Sequence, residues 1–337
     1  MNALTRATSA CLLAVVSLLS VSNAQARTIY VASDGTGDFT NIRAAVEAAT
    51  SGDVIIVGVG TYTGRDAVDI GVSGRTLTIR GSDPNDPAVA AKTLIDCRVG
   101  GEFGLHFIEM GPSKDTNLTL AGLTITHSTK SQSGGAVLCH GGILRVVNCT
   151  FADNAVECWG GAVYCENSQA TFEGCTFLRN GSAVLRGGAA ASTNSQMVFS
   201  QCLFQQNTGN AMTGFDSLVS FSDCTFEDNI ASPTTAGQDP NFRLDPYVGF
   251  GGGVAAEGTA NLTFVDCNFV DNEADTGGGI YVINAGVSVI DCNVTANTAL
   301  RGGALAGMGG SIGVAGSFVW NNRAVTDVDD PNDDTIV

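Results

Sequence analysis

Few side chains in this sequence combine residue types and spacing that could support chemistry. Trp159 and Arg186 each precede a Gly-Gly pair in successive repeats, so we expect them to be neighbours. A tryptophan beside a guanidinium can form a platform for a sugar or an acidic glycan, or it can form only a local cation–π contact. Glu257 lies on the strand that follows a later glycine-rich block and is a third candidate for ligand binding.

The longest interruption of the repeats spans residues 230–250. Long loops on rigid scaffolds often carry function, although a plain surface loop explains this one equally well. Its candidate ligand-binding residues are Asp239, Arg243, Asp245 and Tyr247.

Metal and catalytic sites are weakly supported. Asp228 and Asp271 hold equivalent positions in consecutive repeats, where they could share a calcium ion or be solvated separately. The three histidines form no relay pattern, and no Cys/His spacing indicates zinc. Acid–base hydrolysis requires two carboxylates at a fixed distance, and we find no such pair. We therefore predict no catalytic residues and no cofactor other than that calcium.

A short block recurs six times with a cysteine, an apolar residue two positions later and an asparagine three beyond. The copies begin at residues 148, 174, 201, 223, 266 and 291, mostly 22 to 27 residues apart, and each is paired with a glycine-rich block. Repeats of this length are typical of solenoids. Two positions recur from block to block, so their residues would stack into ladders in a solenoid. They are Phe151, Phe177, Phe204, Phe226 and Phe269, and Asn154, Asn180, Asn207, Asn229, Asn272 and Asn297.

Each period holds three short runs of alternating apolar residues, which is a strand signal. The pattern predicts an all-β, right-handed parallel β-helix with three sheets and coils about 4.8 Å apart. The phenylalanines would stack inside, and the asparagines would occupy a left-handed bend and bond to the next coil. Aligning the glycine-rich strands puts Glu257 in one row with Cys139 and Cys165, as the only ionisable residue of that surface.

These residues resemble known β-helix proteins. The segment 33–62 resembles the opening of pectin methylesterase-type β-helices, and the paired GGA and FxxN signals resemble the repeats of chlamydial polymorphic outer-membrane adhesins. As a whole the pattern is similar to bacterial right-handed β-helix repeat proteins of the pectin lyase-like superfamily. That resemblance implies functional groups on the outer side of the first sheet. The middle of the chain lacks a motif matching the catalytic aspartates and arginine of pectin methylesterases.

The two ends of the chain differ from the repeats. Residues 1–26 read as a signal peptide, with an apolar run at 10–21 too short to span a membrane. Residues 41–50 predict a short amphipathic helix that caps a single β-helix domain over 27–323. Residues 324–337 form an acidic tail.

Ten cysteines remain after Cys11, an even number in a chain expected to be exported. Six of them hold one repeat position, where Cβ atoms one coil apart exceed the separation that a disulfide allows. We expect these six to be buried thiols. A disulfide among Cys139, Cys158 and Cys165 stays open.

The net charge of −17 makes nucleic acid and anionic membranes poor partners. We predict an exported protein, extracellular, surface-bound or periplasmic, that binds a glycan or a surface partner without catalysis, as an adhesin does. The alternatives are a carbohydrate-active enzyme that uses loop residues and a structural envelope protein.

Overall fold

The chain winds into a parallel β-solenoid, and nearly every coil contributes one strand to each of three long sheets. The computed structural model describes residues 26–99, 105–130, 133–184, 186–231 and 249–325. The predicted all-β, three-sheet solenoid is confirmed, and the helices within this range are short.

Some predicted features lie outside the described residues. They are the signal peptide up to residue 25, the candidates Asp239, Arg243, Asp245 and Tyr247 of the long insertion, and the tail beyond Val325. The solenoid itself continues to a last strand at Arg323–Ala324, one residue past the predicted domain end.

In each coil the chain passes from sheet 1 through sheet 2 to sheet 3. Sheet 1 holds the strands that follow the glycine-rich blocks: Ile70–Val72, Ile108–Met110, Val137–His140, Val163–Glu166, Ala190–Thr193, Met212–Phe215, Val254–Glu257, Ile280–Ile283 and Leu305–Met308. Sheet 2 holds the middle strands: Thr28–Val31, Val54–Val57, Thr76–Gly81, Asn117–Ala121, Ile143–Val147, Gln169–Glu173, Gln196–Ser200, Leu218–Ser222, Asn261–Val265, Gly286–Ile290 and Ser311–Ala315. Sheet 3 holds the strands of the cysteine blocks: Gly60–Thr63, Thr93–Asp96, Thr124–Thr126, Thr150–Ala152, Thr176–Leu178, Leu203–Gln205, Thr225–Glu227, Asn268–Val270, Asn293–Thr295 and Phe318–Trp320.

A fourth, shorter set of strands was not predicted. Most of these strands follow a ladder asparagine, and Thr129–Lys130 follows Ser128. They form two small ladders, which Thr208 connects through isolated bridges to Gly181 and Ile230. Most are only two residues long, too short for an alternating pattern to reveal. Their bounds are Thr129–Lys130, Ala155–Val156, Gly181–Ser182, Ile230–Ala231, Glu273–Thr276, Thr298–Arg301 and Arg323–Ala324.

The paired glycines ahead of sheet 1 have two separate causes. Gly160 has a φ of 69°, which favours glycine. Gly161 is required by space, since a Cβ there would lie 2.0 Å from the carbonyl oxygen of Gly188 in the next coil. Both needs recur with each turn, which explains why the glycine pair recurs in the sequence.

The ladder asparagines connect the coils through their side chains. Asn207, fully buried, donates from Nδ2 to the carbonyl of Phe177 at 3.0 Å and to Oδ1 of Asn229 at 2.9 Å. Its Oδ1 accepts from the backbone N–H of Asn180 at 2.9 Å and from Asn180 Nδ2 at 3.0 Å. All four hydrogen-bonding positions of the amide are therefore used. The predicted bond to the next coil is confirmed.

The predicted left-handed geometry of these asparagines is wrong by one residue. The residue before each ladder asparagine carries the positive φ, for example Asp153 at 56° and Asp228 at 54°. Aspartate tolerates this region for the same reason as asparagine, because its short polar side chain bonds locally. The asparagine is thereby left free to point inward.

Two phenylalanine stacks fill the interior. The predicted one is confirmed, with ring centroids 4.7 Å apart between Phe177 and Phe204 and 4.8 Å apart between Phe204 and Phe226. A second stack on sheet 2 was not predicted and meets the first edge to face, with Phe199 and Phe204 at 5.4 Å. Its members are Phe172, Phe199, Phe221 and Phe264.

The six ladder cysteines are buried free thiols, as predicted. Burial raises the pKa of the Cys149 thiol to about 12, so the unreactive protonated form prevails. Cys139 and Cys165 face each other across adjacent coils and are also free, so neither takes part in the disulfide left open above.

The N-terminal end is closed by the predicted helix, which spans Ile42–Ala48. Oδ1 of Asn41 caps it by accepting from the N–H of Ala44 at 2.8 Å. Arg75 donates to the carbonyls of Val46 at 2.8 Å and Ala49 at 3.1 Å, beside the negative end of the helix dipole. The short helices Arg65–Ala67 and Pro87–Ala90 lie at other turns. At the other end, Phe318 and Trp320 of the last described coil are 58% and 63% exposed.

We predict that Asn207→Ala lowers the free energy of unfolding by about 2–5 kcal/mol, because it leaves several buried donors and acceptors without partners. Asn293→Ala is the matched control: its amide bonds Asn268 on the exposed side of sheet 3, so the loss should stay below about 0.5 kcal/mol. Chemical denaturation measures both values. Equal losses would contradict a special role for the buried ladder.

We also predict that the six ladder thiols react with a thiol reagent only after denaturation, without any reductant. Titration before and after unfolding gives the count, and mass mapping under non-reducing conditions gives the pairing. Disulfides between ladder positions would show that the coil geometry is wrong.

Candidate functional site

The outer face of sheet 1 is the candidate site. Strand alternation points Val163 and Cys165 inward and Tyr164 and Glu166 outward. Down the stack, one outward row runs through Leu138, Tyr164, Ala191, Thr213, Ala255, Tyr281 and Ala306. The other runs through His140, Glu166, Thr193, Phe215, Glu257, Ile283 and Met308.

This register corrects the row predicted for Glu257. Phe215 is its partner in the preceding coil, so Glu257 does not share a row with Cys139 and Cys165. The alignment slipped by one residue at the glycine triplet, where Gly253 takes the place of an alanine: the N–H of Ala211 bonds its carbonyl at 2.9 Å.

Trp159, Arg186 and Glu257 come together as a packed group. The guanidinium carbon of Arg186 lies 5.3 Å from the centre of the Trp159 ring, so the expected contact is a cation–π interaction. Its Nη2 is 3.4 Å from Oε2 of Glu257, and the two side chains are only 13% and 10% exposed. The arginine charge is thus matched within the protein, which argues against Trp159 and Arg186 as a platform for acidic sugars.

Trp159 also contacts two other aromatic side chains, and we call the three the aromatic cluster: Trp159, Tyr164 and Phe215. The Trp159 ring is 6.1 Å from that of Tyr164, edge to face, and 6.2 Å from that of Phe215. Trp159 and Phe215 are partly exposed, while Tyr164 is buried and its hydroxyl lies 3.0 Å from Oγ1 of Thr193. Burial raises the pKa of the Tyr164 phenol, which keeps it a neutral hydrogen-bonding group.

His140 and Glu166 form an ion pair or hydrogen bond at the N-terminal side of the cluster. His140 Nδ1 is 2.9 Å from Glu166 Oε2, and the side chains are 36% and 38% exposed. The histidine ring lies edge to face with Tyr164 at 6.5 Å. Glu109, exposed, lies opposite Leu138 in the preceding coil. A carboxylate on one ring nitrogen fixes the tautomer of the other, as in acid–base sites.

Sequence reasoning missed His140, Glu166 and Phe215. The repeat alignment of sheet 1 ended at Cys139 and Cys165, one residue before the outward position. Extending the alternation by one residue would have brought His140 and Glu166 into the outward row. Phe215 became visible only with the corrected register.

The remaining predicted site residues either lie away from the outer face of sheet 1 or lie outside the described residues. Asp228 and Asp271 sit in the left-handed turn before two ladder asparagines, with φ near 54° and 53°. Among the described residues, no group of three or more His, Cys, Asp or Glu side chains could hold a metal ion. A calcium ion at the two aspartates stays a prediction.

The flank of the long insertion meets the same face further along the solenoid. Phe250 stacks on Tyr281 with ring centroids 4.2 Å apart and an interplanar angle of 12°. The carbonyl of Phe250 also accepts from Asn210 Nδ2 at 3.3 Å. The residue that follows the insertion therefore packs against sheet 1. In the part that the structure describes, no helix is long and apolar enough to cross a membrane.

Comparison with known proteins supports the fold. The family model of the right handed beta helix region matches residues 112–246, which agrees with the predicted handedness. No curated protein matches the chain. Together with the topology, this match identifies the fold as a right-handed parallel β-helix. A place in the pectin lyase-like superfamily stays a prediction. A resemblance to chlamydial adhesins stays a prediction.

Three solved structures are similar in shape. A PL6 family alginate lyase, AlyGC, has a TM-score of 0.52 and 11% identity, and the match covers 88% of this chain but only 40% of the lyase. Pectin methylesterase from carrot has a TM-score of 0.40 and 12% identity, with 92% and 88% covered. ORF18 of Geobacillus virus E2 has a TM-score of 0.38 and 15% identity, with 83% and 56% covered. At 11% identity the likeness to the alginate lyase concerns the fold alone.

We predict that Arg186 and Glu257 are energetically coupled. In a double-mutant cycle of Arg186→Gln and Glu257→Gln, the coupling should be about 1–3 kcal/mol, because each single change leaves the other charge poorly solvated. Arg145 and Glu173, 2.9 Å apart and about half exposed, are the control pair, with an expected coupling below about 0.5 kcal/mol. The free energy of unfolding is measured for the parent protein, the four single variants and the two double variants, seven proteins in all. Similar coupling in both pairs would show that the first is solvated as well.

Proposed function

We propose that this protein binds a glycan on the outer face of sheet 1, centred on the aromatic cluster. The supporting observation is the partly exposed Trp159 and Phe215 held on a rigid sheet beside polar groups. Flat aromatic side chains offer apolar contact area, and ion pairs and hydroxyls at their edges suit sugar hydroxyls. Because the scaffold is rigid, little conformational entropy is lost on binding.

The proposed site is elongated along the solenoid. From His140 to Glu257 the outward row advances four coils, roughly 19 Å at the usual strand spacing. A linear oligosaccharide could follow this row and contact polar side chains on either side of the cluster. The long insertion rejoins the chain beside this face at Phe250, so it too is a candidate for ligand contact.

A carbohydrate-active enzyme is the second candidate. The observation that favours it is His140 beside Glu166, since a histidine oriented by a carboxylate can act as a general base or acid. Binding stays our first proposal, because hydrolysis needs a second acid or base at a fixed distance, and the described residues of this face show none beside His140 and Glu166. Analysis of the glycan for cleaved products after incubation separates the two.

We propose that the protein acts outside the cytoplasm, on the basis of the signal-like residues 1–26. An adhesin-like role agrees with a solenoid that presents one elongated binding face. The remaining alternative is a structural protein of the cell envelope. It would gain support if a broad glycan array showed no binding.

We predict that Trp159→Ala weakens binding of any glycan found on an array by roughly tenfold or more, equivalent to about 1.4 kcal/mol. Trp320→Ala is the matched control, since Trp320 is the other tryptophan and lies exposed on sheet 3 of the last described coil. Calorimetric titration gives the affinities, and circular dichroism checks that each variant is folded.

Deletion of residues 232–248 should also weaken binding if the insertion contributes. The site lies elsewhere if both the deletion and Trp159→Ala bind as tightly as the parent protein. A loss in Trp320→Ala equal to that in Trp159→Ala would point to the last described coil instead.

A further inference from the structure

We infer that the site, given the glycan binding proposed above, takes sugars that are neutral or carry an ammonium group and rejects sugars that carry a carboxylate. This selection follows from how the charged side chains of the outer face are already paired. It concerns the ligand class and not the location of the site.

The cation best placed to meet a uronate is already engaged. Arg186 is 3.4 Å from the carboxylate of Glu257 and packs on Trp159, with both charged side chains mostly buried. To bind a ligand carboxylate, the guanidinium would have to break its contact with Glu257. The carboxylate of Glu257 would then be mostly buried without a partner. A buried charge without a partner is costly, so this exchange is unfavourable.

The other polar groups of the face add negative charge. His140, if protonated, is matched by Glu166 at 2.9 Å. Glu109 is exposed one coil before His140, and among the described residues of the outer face no cation is paired with it. The described groups therefore comprise three carboxylates against one arginine and one histidine.

The excess of carboxylates over cations on the outer face determines which ligand charge is favoured. A uronate would place another negative charge beside Glu109 and Glu166, within the field of a protein whose net charge is −17. Like charges brought together at a binding surface oppose association. An ammonium group would instead be attracted to these carboxylates and to the faces of aromatic rings. A neutral sugar is neither repelled nor attracted by these charges.

The test compares three oligosaccharides of equal length: a glucosamine oligomer, a cello-oligosaccharide and an oligogalacturonate. Calorimetric titration is done at low salt, which preserves charge effects, and under mildly acidic conditions that keep the amines protonated. We expect the oligogalacturonate to bind roughly tenfold or more weakly than the neutral oligomer, and the glucosamine oligomer at least as tightly.

Two variants and one control locate the cause. Glu257→Gln releases Arg186 from its partner and should narrow the gap between oligogalacturonate and neutral oligomer several-fold. Glu166→Gln should reduce the preference for the glucosamine oligomer, and it serves alone if the first variant does not fold. Glu173→Gln removes the same charge on sheet 2, beside Arg145, and should change neither ratio.

Each outcome has one meaning. Equal or tighter binding of the oligogalacturonate than of the neutral oligomer overturns the charge selection and leaves the glycan site standing. Binding of none of the three, nor of any glycan on an array, overturns the proposed function itself. Equal effects of Glu173→Gln and Glu257→Gln would mean that overall charge acts, and would overturn the role of the Arg186 pairing.

Discussion

The structure depends on keeping equivalent residues of successive coils in register. The buried asparagine ladder imposes that register most strictly, because each amide bonds to the coils on both sides of it. A coil displaced by one residue would leave donors and acceptors unpaired in a dry interior, which costs far more than a lost apolar contact. The phenylalanine stacks and the cysteine row occupy positions that this register makes equivalent.

The same register arranges the outer face of sheet 1. Alternation sends every second residue outward, so residues from five coils form a continuous row that no single repeat contains. Side chains then reach across coils: Trp159 contacts Phe215, which belongs to a strand two coils further on. Chemistry on this surface is therefore a property of the stack, and Arg186 and Glu257 acquire their pairing only there.

Repeats made the fold and its ladders predictable, because each ladder position recurs at one place in six blocks. Phe177, Asn207 and Cys175 could be placed inside from sequence alone. The two-residue strands could not, since they are shorter than any alternating pattern. The second phenylalanine stack was missed although its sequence signal is regular: Phe172, Phe199, Phe221 and Phe264 each stand three residues before a ladder cysteine.

The candidate site was only partly predictable. The proximity of Trp159 and Arg186 followed from their matched positions before the glycine pair. Glu257 was assigned to the wrong row, because a third glycine in its block allows the alignment to slip by one residue. A slip of one residue exchanges the two faces of a strand, so it reverses every conclusion about exposure. The ion pair itself depends on side-chain reach across two coils, which repeat spacing does not encode.

The asparagine ladder also has a direction. Each Nδ2 donates toward the C-terminal neighbour and each Oδ1 accepts from the N-terminal one, so the amide dipoles align along the solenoid. A duplicated coil that carries its own asparagine would extend this chain without changing any bond above or below it. Gene duplication can thus lengthen the protein in whole coils, whereas an insertion of part of a coil must leave the solenoid as a loop. The ladder itself shows that such an interruption is tolerated, since it continues directly from Asn229 to Asn272, 43 positions apart in the sequence.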